Sequence, residues 1–257
     1  MQNQVETKNS FKLLLLASAI TLLLWFIPFA EVITYPFRLF VTFIHETGHA
    51  VATLATAGSV HSLAIHLDGS GLMQRSGGWG LLISSAGYLS TTIFGSLLLL
   101  LLRRPRFAKP AAIGTAVLLL IVPLLFTGNL WAWLFGLTLG AGFLAFAVKG
   151  NQNLLHFFMS FLAVQSILNA FYDLRALLYL SVFNPDTLTD ARNMQEASAG
   201  LIPATVWAIG WSLVSLLILG GTLVVYYRSL QKRETEAPMP NFPLLTEHSR
   251  SLSDRQL

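Results

Sequence analysis

Long apolar runs dominate this chain, and each is about as long as a bilayer core requires. A helix needs about 20 mostly apolar residues to cross the hydrocarbon region. Such runs occupy Phe11–Ala30, about Phe37–Ala57, Trp79–Leu102, Ala111–Thr127, Leu130–Val148, about Leu154–Val182 and Leu201–Tyr227. Of the 257 residues, 54% are apolar and only 11% charged, whereas a soluble domain carries about 25% charged residues. So few charges could not solvate the surface of a soluble protein of this size. Nucleic-acid binding, disorder and a fibrous fold are poor readings for the same reason. The expectation is an all-α polytopic membrane protein with about 6–7 transmembrane helices.

The net charge of +4 does not need a polyanionic partner. The basic residues cluster as Arg103, Arg104, Arg106, Lys109 and as Arg228, Lys232, Arg233, each after an apolar run. Cytoplasmic loops carry such an excess. This pattern predicts a cytoplasmic C-terminus and suits the plasma membrane. Residues 1–10 then form an N-terminal tail, 11–228 the membrane domain and 229–257 a disordered cytoplasmic tail rich in Pro and Ser. The first run resembles a signal peptide, but no small-x-small cleavage site follows it, so it reads as a retained helix. The polar stretch 59–78 contains Asp68-Gly69-Ser70-Gly71 between short alternating segments and reads as a β-hairpin. Gly136-x-x-x-Gly140 suits close helix packing. There is no cysteine, so any metal must sit on nitrogen and oxygen ligands.

The second run, helix 37–57, contains His45-Glu46-Thr47-Gly48-His49. At about 3.6 residues per turn, His45 and His49 share a face and both imidazoles can reach one ion. Glu46 lies where a carboxylate can take a proton from a water activated by that ion. Zn2+ accepts imidazole and carboxylate in a tetrahedral site with one position left for water. From the chain's own 6 His and its Glu residues, chance would supply roughly 0.004 such patterns. Three ionisable groups within five residues of a membrane helix need a compensating partner, and a dication supplies one. The bland alternative is a polar cluster that holds helices together.

A catalytic zinc takes a third protein ligand. Asp173 is the acidic residue within the long apolar run 154–182, with Asn169 one turn before it on the same face. Asp173 could complete a His-His-Asp site, and the Asn169 amide could bind substrate or simply bridge helices. An ion pair of Asp173 with Arg175 is poor, because residues two apart do not face each other. His61 and His66 read as solvated hairpin residues and His156 as interfacial or packed. Asp186, Asp190, Arg192 and Glu196 read as a solvated loop.

Three segments together resemble the site-2-protease class of intramembrane zinc metalloproteases, in its M50B-like branch. They are His45–His49, the stretch from Asp68-Gly69-Ser70-Gly71 through Ser85-Ala86-Gly87-Tyr88-Leu89, and Asn169 to Asp173. The resemblance implies His45, His49 and Asp173 as metal ligands and Glu46 as general base. It also implies an extended, membrane-anchored protein substrate laid along the hairpin edge. Better-known members carry the third-ligand Asp in a Leu-Asp-Gly or Asn-Pro-Asp-Gly setting. This chain has Tyr172-Asp173-Leu174, and Asn184-Pro185-Asp186 keeps Asp186 as a competitor. A transporter or metal permease would use the same cluster for ions in transit, but the chain shows no inverted repeat of the kind transporters use. A non-catalytic membrane scaffold is the third alternative.

Overall fold

The computed structural model describes residues 12–235 except 14, 22, 25, 26, 28 and 127. Within 12–24 the described residues are helical. The helices that follow are α1 (Ala30–Ala55), α2 (Gly80–Leu101), α3 (Ala108–Phe126), α4 (Leu130–Lys149), α5 (Gln152–Phe183), α6 (Asp190–Ala197) and α7 (Ala204–Thr235). The two strands, β1 (Ser59–Ile65) and β2 (Gly71–Ser76), form the expected hairpin between α1 and α2. The N-terminal tail 1–10 lies outside the described residues, as does most of the C-terminal tail. Residues 229–235, expected to be disordered, continue α7.

Five of the described helices, in segments 80–101, 105–126, 130–149, 152–183 and 204–229, are long and apolar enough to cross a membrane. The helix α1 is not among them, because Arg38, His45, Glu46 and His49 all depress its hydropathy. The polar site thus partly hides the helix that carries it. The first apolar run, Phe11–Ala30, falls partly outside the described residues.

The hairpin lies along α1. From Thr42 to Thr56 the helix rises about 21 Å, and the strand Ser59–Ile65 spans about 20 Å, so the two match in length. At one end the Trp79 backbone N–H donates to Thr56 Oγ1 (3.0 Å). At the other, Thr42 Oγ1 donates to Gly69 O (2.9 Å) and the Tyr35 hydroxyl to Leu67 O. Gly69 turns the chain at a φ of 86°, and Asp68 Oδ1 accepts from Ser70 N (2.9 Å) and Ser70 Oγ (2.7 Å). Leu63 and Ile65 of β1 are buried in the main apolar core with Phe40, Phe43, Leu119, Leu155 and Met159.

The outer edge of β1 is covered. Gly128 N donates to Leu63 O (2.7 Å) and Asn129 Nδ2 to Ile65 O (2.8 Å). The same Asn129 caps α4 by accepting from Ala132 N (2.9 Å). Among the described residues, the β2 edge away from β1 takes no backbone hydrogen bond from another element. The α3–α4 pair packs closely through the predicted glycines: a Cβ on Gly140 would meet Leu120 Cγ at 2.7 Å and Ala116 O at 3.2 Å. A second apolar cluster of Leu174, Leu177, Ala191, Met194, Ala208 and Trp211 holds the short α6 against α5 and α7.

Candidate metal centre and active site

Helix α1 presents His45, Glu46 and His49 to a pocket of about 500 Å³. The helical spacing places the two imidazoles one turn apart, with His45 Nε2 and His49 Nε2 separated by 3.0 Å. His49 Nδ1–H donates to Ile83 O at 2.6 Å. That bond leaves Nε2 as the bare nitrogen of the neutral ring, which is the tautomer a metal ligand needs. His156, by contrast, is packed: its Nε2 stands 2.8 Å from Leu102 O. His61 and His66 are exposed on the hairpin.

The third corner of the triangle is Asp190. Its Oδ2 lies 3.2 Å from His45 Nε2 and 3.2 Å from His49 Nε2. Asp190 opens α6 directly after the Thr189 N-cap, whose side chain accepts from Arg192 N (3.2 Å). A carboxylate is favoured there by the helix dipole. Burial alone would raise the Asp190 carboxyl, but His49 and His45 outweigh it and hold the group well below the usual carboxylate range. Asp190 thus departs from the solvated loop its segment suggests. The reason is the spacing of Ala191 and Met194, which gives α6 an apolar face and folds it onto the bundle. That i, i+3 pair behind a Thr-Asp start was the legible signal.

Asp173 lines the same pocket but makes no hydrogen bond or ion pair to a described residue. The carboxylate touching both imidazoles is Asp190, not Asp173. Asn169 does not line the pocket, and its amide Nδ2 donates to Gln165 O of its own helix (2.9 Å). Asp186 is outside the site, with 98% of its side chain exposed and Arg192 3.9 Å away.

The triangle of 3.0, 3.2 and 3.2 Å fits zinc. Tetrahedral ligands at about 2.05 Å from one ion stand about 3.3 Å apart. The two Nε2 atoms and the Asp190 carboxylate oxygen converge on one point, a donor set that a divalent cation can join. Room for the ion is kept by Gly87 of α2, where a Cβ would lie 2.5 Å from both Nε2 atoms. Gly48 lets α1 and α2 approach that closely, since a Cβ there would stand 2.7 Å from Ala86 O.

Glu46 is buried, only 5% exposed, and faces β2. A Cβ on Gly71 would meet Glu46 Cγ at 2.6 Å and Cδ at 2.8 Å. Beyond His45, the Tyr88 ring stands edge-on to the imidazole (centroids 4.6 Å, 88°) and stacks on Trp211 (5.4 Å, 21°).

The apolar helical bundle thus brings together two histidines one turn apart, a buried glutamate beside them and a converging aspartate, a group that could hold one metal ion. Residues 14–222 match the family model described as Peptidase M50B-like, and the chain belongs to that family. No curated protein and no solved structure matches the chain.

Proposed function

We propose that this protein is an intramembrane zinc metalloendopeptidase that hydrolyses peptide bonds of membrane-anchored protein substrates. The observation that carries the reading is the His45–His49–Asp190 triangle beside a buried Glu46. His45, His49 and Asp190 would hold Zn2+, with Asp173 as a further carboxylate in the pocket rather than the third ligand. When bound, the ion polarises the scissile carbonyl and lowers the pKa of the attacking water. Glu46 takes the proton from that water and passes it to the leaving amine. The β2 edge pairs with an unwound substrate segment, because a peptide bond still in a helix is shielded by its own turn. Gly69 to Met73 line the pocket and bring that edge to the chemistry.

The protein sits in the plasma membrane with its C-terminus in the cytoplasm. The basic groups Arg103–Lys109, Lys149 and Arg228 fall at alternate helix ends, hence on one side of the bundle. The test is zinc content of detergent-purified wild type and of His49→Ala, Asp190→Ala, Asp173→Ala and Asp186→Ala, with cleavage followed in Glu46→Gln. The expected result is about one zinc per chain, lost in His49→Ala and Asp190→Ala and kept in the other two. Glu46→Gln should keep zinc and lose cleavage by about 10²- to 10⁴-fold. Zinc lost from Asp173→Ala and kept in Asp190→Ala would restore Asp173 as the ligand. No zinc in the folded wild type would end the metallopeptidase reading.

A further inference from the structure

Hydrolysis by this site would gain from a hydrogen-bond donor to the charge that develops on the scissile carbonyl oxygen, beyond what a bound ion supplies. Asn169 does not face the pocket. Two of the hydroxyls lining it already donate within the protein, Thr42 to Gly69 O (2.9 Å) and Ser70 to Asp68 Oδ1 (2.7 Å). Thr189 Oγ1 accepts from Arg192 N (3.2 Å), while Ser84 and Tyr88 hydrogen-bond to no described residue. Of these two, Tyr88 stands against the imidazole of His45, and it lines the pocket with His45, Glu46, His49, Asp173 and Asp190.

The ring itself is held firmly. It is stacked on Trp211, whose Nε1–H donates to Ser85 Oγ (3.0 Å) one turn earlier on the same helix as Tyr88. It also packs edge-on against His45 and lies against the second apolar cluster around Leu174, Leu177 and Met194. Tyr88 also directly follows Gly87, the residue whose missing side chain leaves the space in front of both imidazoles. A clamped ring with an unpartnered hydroxyl beside the metal triangle is preorganised to donate to a ligand. With three carboxylates around the pocket, a further anion would be repelled, whereas a phenol keeps its proton at neutral pH and donates as a neutral group.

We propose that the Tyr88 phenol is a catalytic residue that donates a hydrogen bond to the oxyanion formed from the scissile carbonyl. The inference rests on the peptidase reading above. As the water oxygen bonds to the carbonyl carbon, the C=O π pair moves onto oxygen and the water proton passes to Glu46. That proton then goes to the amide nitrogen as the C–N bond breaks, and the negative oxygen re-forms the carbonyl. Tyr88 keeps its own proton throughout.

The test compares zinc-loaded wild type, Tyr88→Phe, Glu46→Gln and Tyr172→Phe, the last altering an exposed tyrosine. Zinc content, binding of N-phosphoryl-Leu-Ala (a tetrahedral anion) and cleavage of β-casein are measured for each. Removing one oxyanion donor costs about 10²- to 10³-fold in kcat. Tyr88→Phe should therefore lose about 10²-fold in kcat and in affinity for the phosphoryl dipeptide. It should keep KM and its zinc, and Tyr172→Phe should match wild type. Full activity and full dipeptide affinity in Tyr88→Phe overturns the Tyr88 role alone. Zinc loss in Tyr88→Phe also overturns it, since the phenol would then be positioning a ligand. A folded wild type that holds no zinc, binds no dipeptide, or cleaves no better than Glu46→Gln overturns the peptidase reading and the Tyr88 role with it.

Discussion

Gly87→Ala tests the metal centre without touching a ligand. The added Cβ would lie 2.5 Å from His45 Nε2, 2.5 Å from His49 Nε2 and 2.6 Å from His45 Cε1. Ordinary contact begins at 3.4 Å, so both ligand nitrogens must retreat by about 0.9 Å, well past the roughly 0.2 Å tolerance of a metal–ligand bond. Altering a group behind the ligands costs about 10- to 100-fold in metal affinity. Displacing two ligands at once should cost at least about 100-fold. The fold should survive, because replacing a helix-interior glycine by alanine gains about 1 kcal/mol against about 1–3 kcal/mol for overpacking. Gly114→Ala, where a Cβ meets nothing within 4 Å, is the control. Zinc affinity is measured by chelator competition on detergent-purified protein, with far-UV circular dichroism to confirm folding. A folded Gly87→Ala that binds zinc within about threefold of wild type would refute the placement of the ion between these imidazoles.

Two further outcomes follow from the geometry. Thr42→Val removes the hydrogen bond to Gly69 O, worth about 1 kcal/mol. Amide exchange of residues 66–71 should quicken about fivefold while zinc content stays unchanged, and unaltered exchange would show that the turn is not held by Thr42. In the metal-free protein, the Asp190 carboxyl is held below its unfolded value, so its stabilisation is present above the usual carboxylate range and is lost as pH falls. The Tm gap between wild type and Asp190→Asn should narrow from about pH 6 to about pH 3, and a gap that widens would contradict the sign.

The bundle was legible in the sequence because bilayer length and basic clusters mark spans directly. The hairpin was legible because Asp68-Gly69-Ser70-Gly71 separates two short alternating runs. His45, Glu46 and His49 were legible because helical spacing alone brings the two imidazoles together. The aspartate against them was not, since a ligand from another element depends on tertiary packing rather than local period. Asp173 stood out because a carboxylate in an apolar run is costly there. Asp190 read as solvated with Asp186, Arg192 and Glu196, in a segment whose polarity masked the Ala191–Met194 apolar pair. Tyr88 gave no signal either, because an aromatic residue in a membrane helix is ordinary until its hydroxyl is seen without a partner.

Topology also decides from which side water and substrate reach this centre. The connections 102–107 and 150–151 and the end of α7 share one side of the bundle and carry the basic clusters. The opposite connections carry the functional parts: the hairpin between α1 and α2, Asn129 before α4, and α6 with Asp190 between α5 and α7. If basic loops face the cytoplasm, the pocket opens away from it. The chain has no cysteine, so single cysteines report cleanly. Asn193 is exposed, lines the pocket and lies one turn after Asp190, whereas Lys149 closes α4 on the basic side. A membrane-impermeant maleimide added to intact cells should label Asn193→Cys and spare Lys149→Cys until the membrane is permeabilised. The reverse pattern would invert the topology and place the open end of the active site in the cytoplasm.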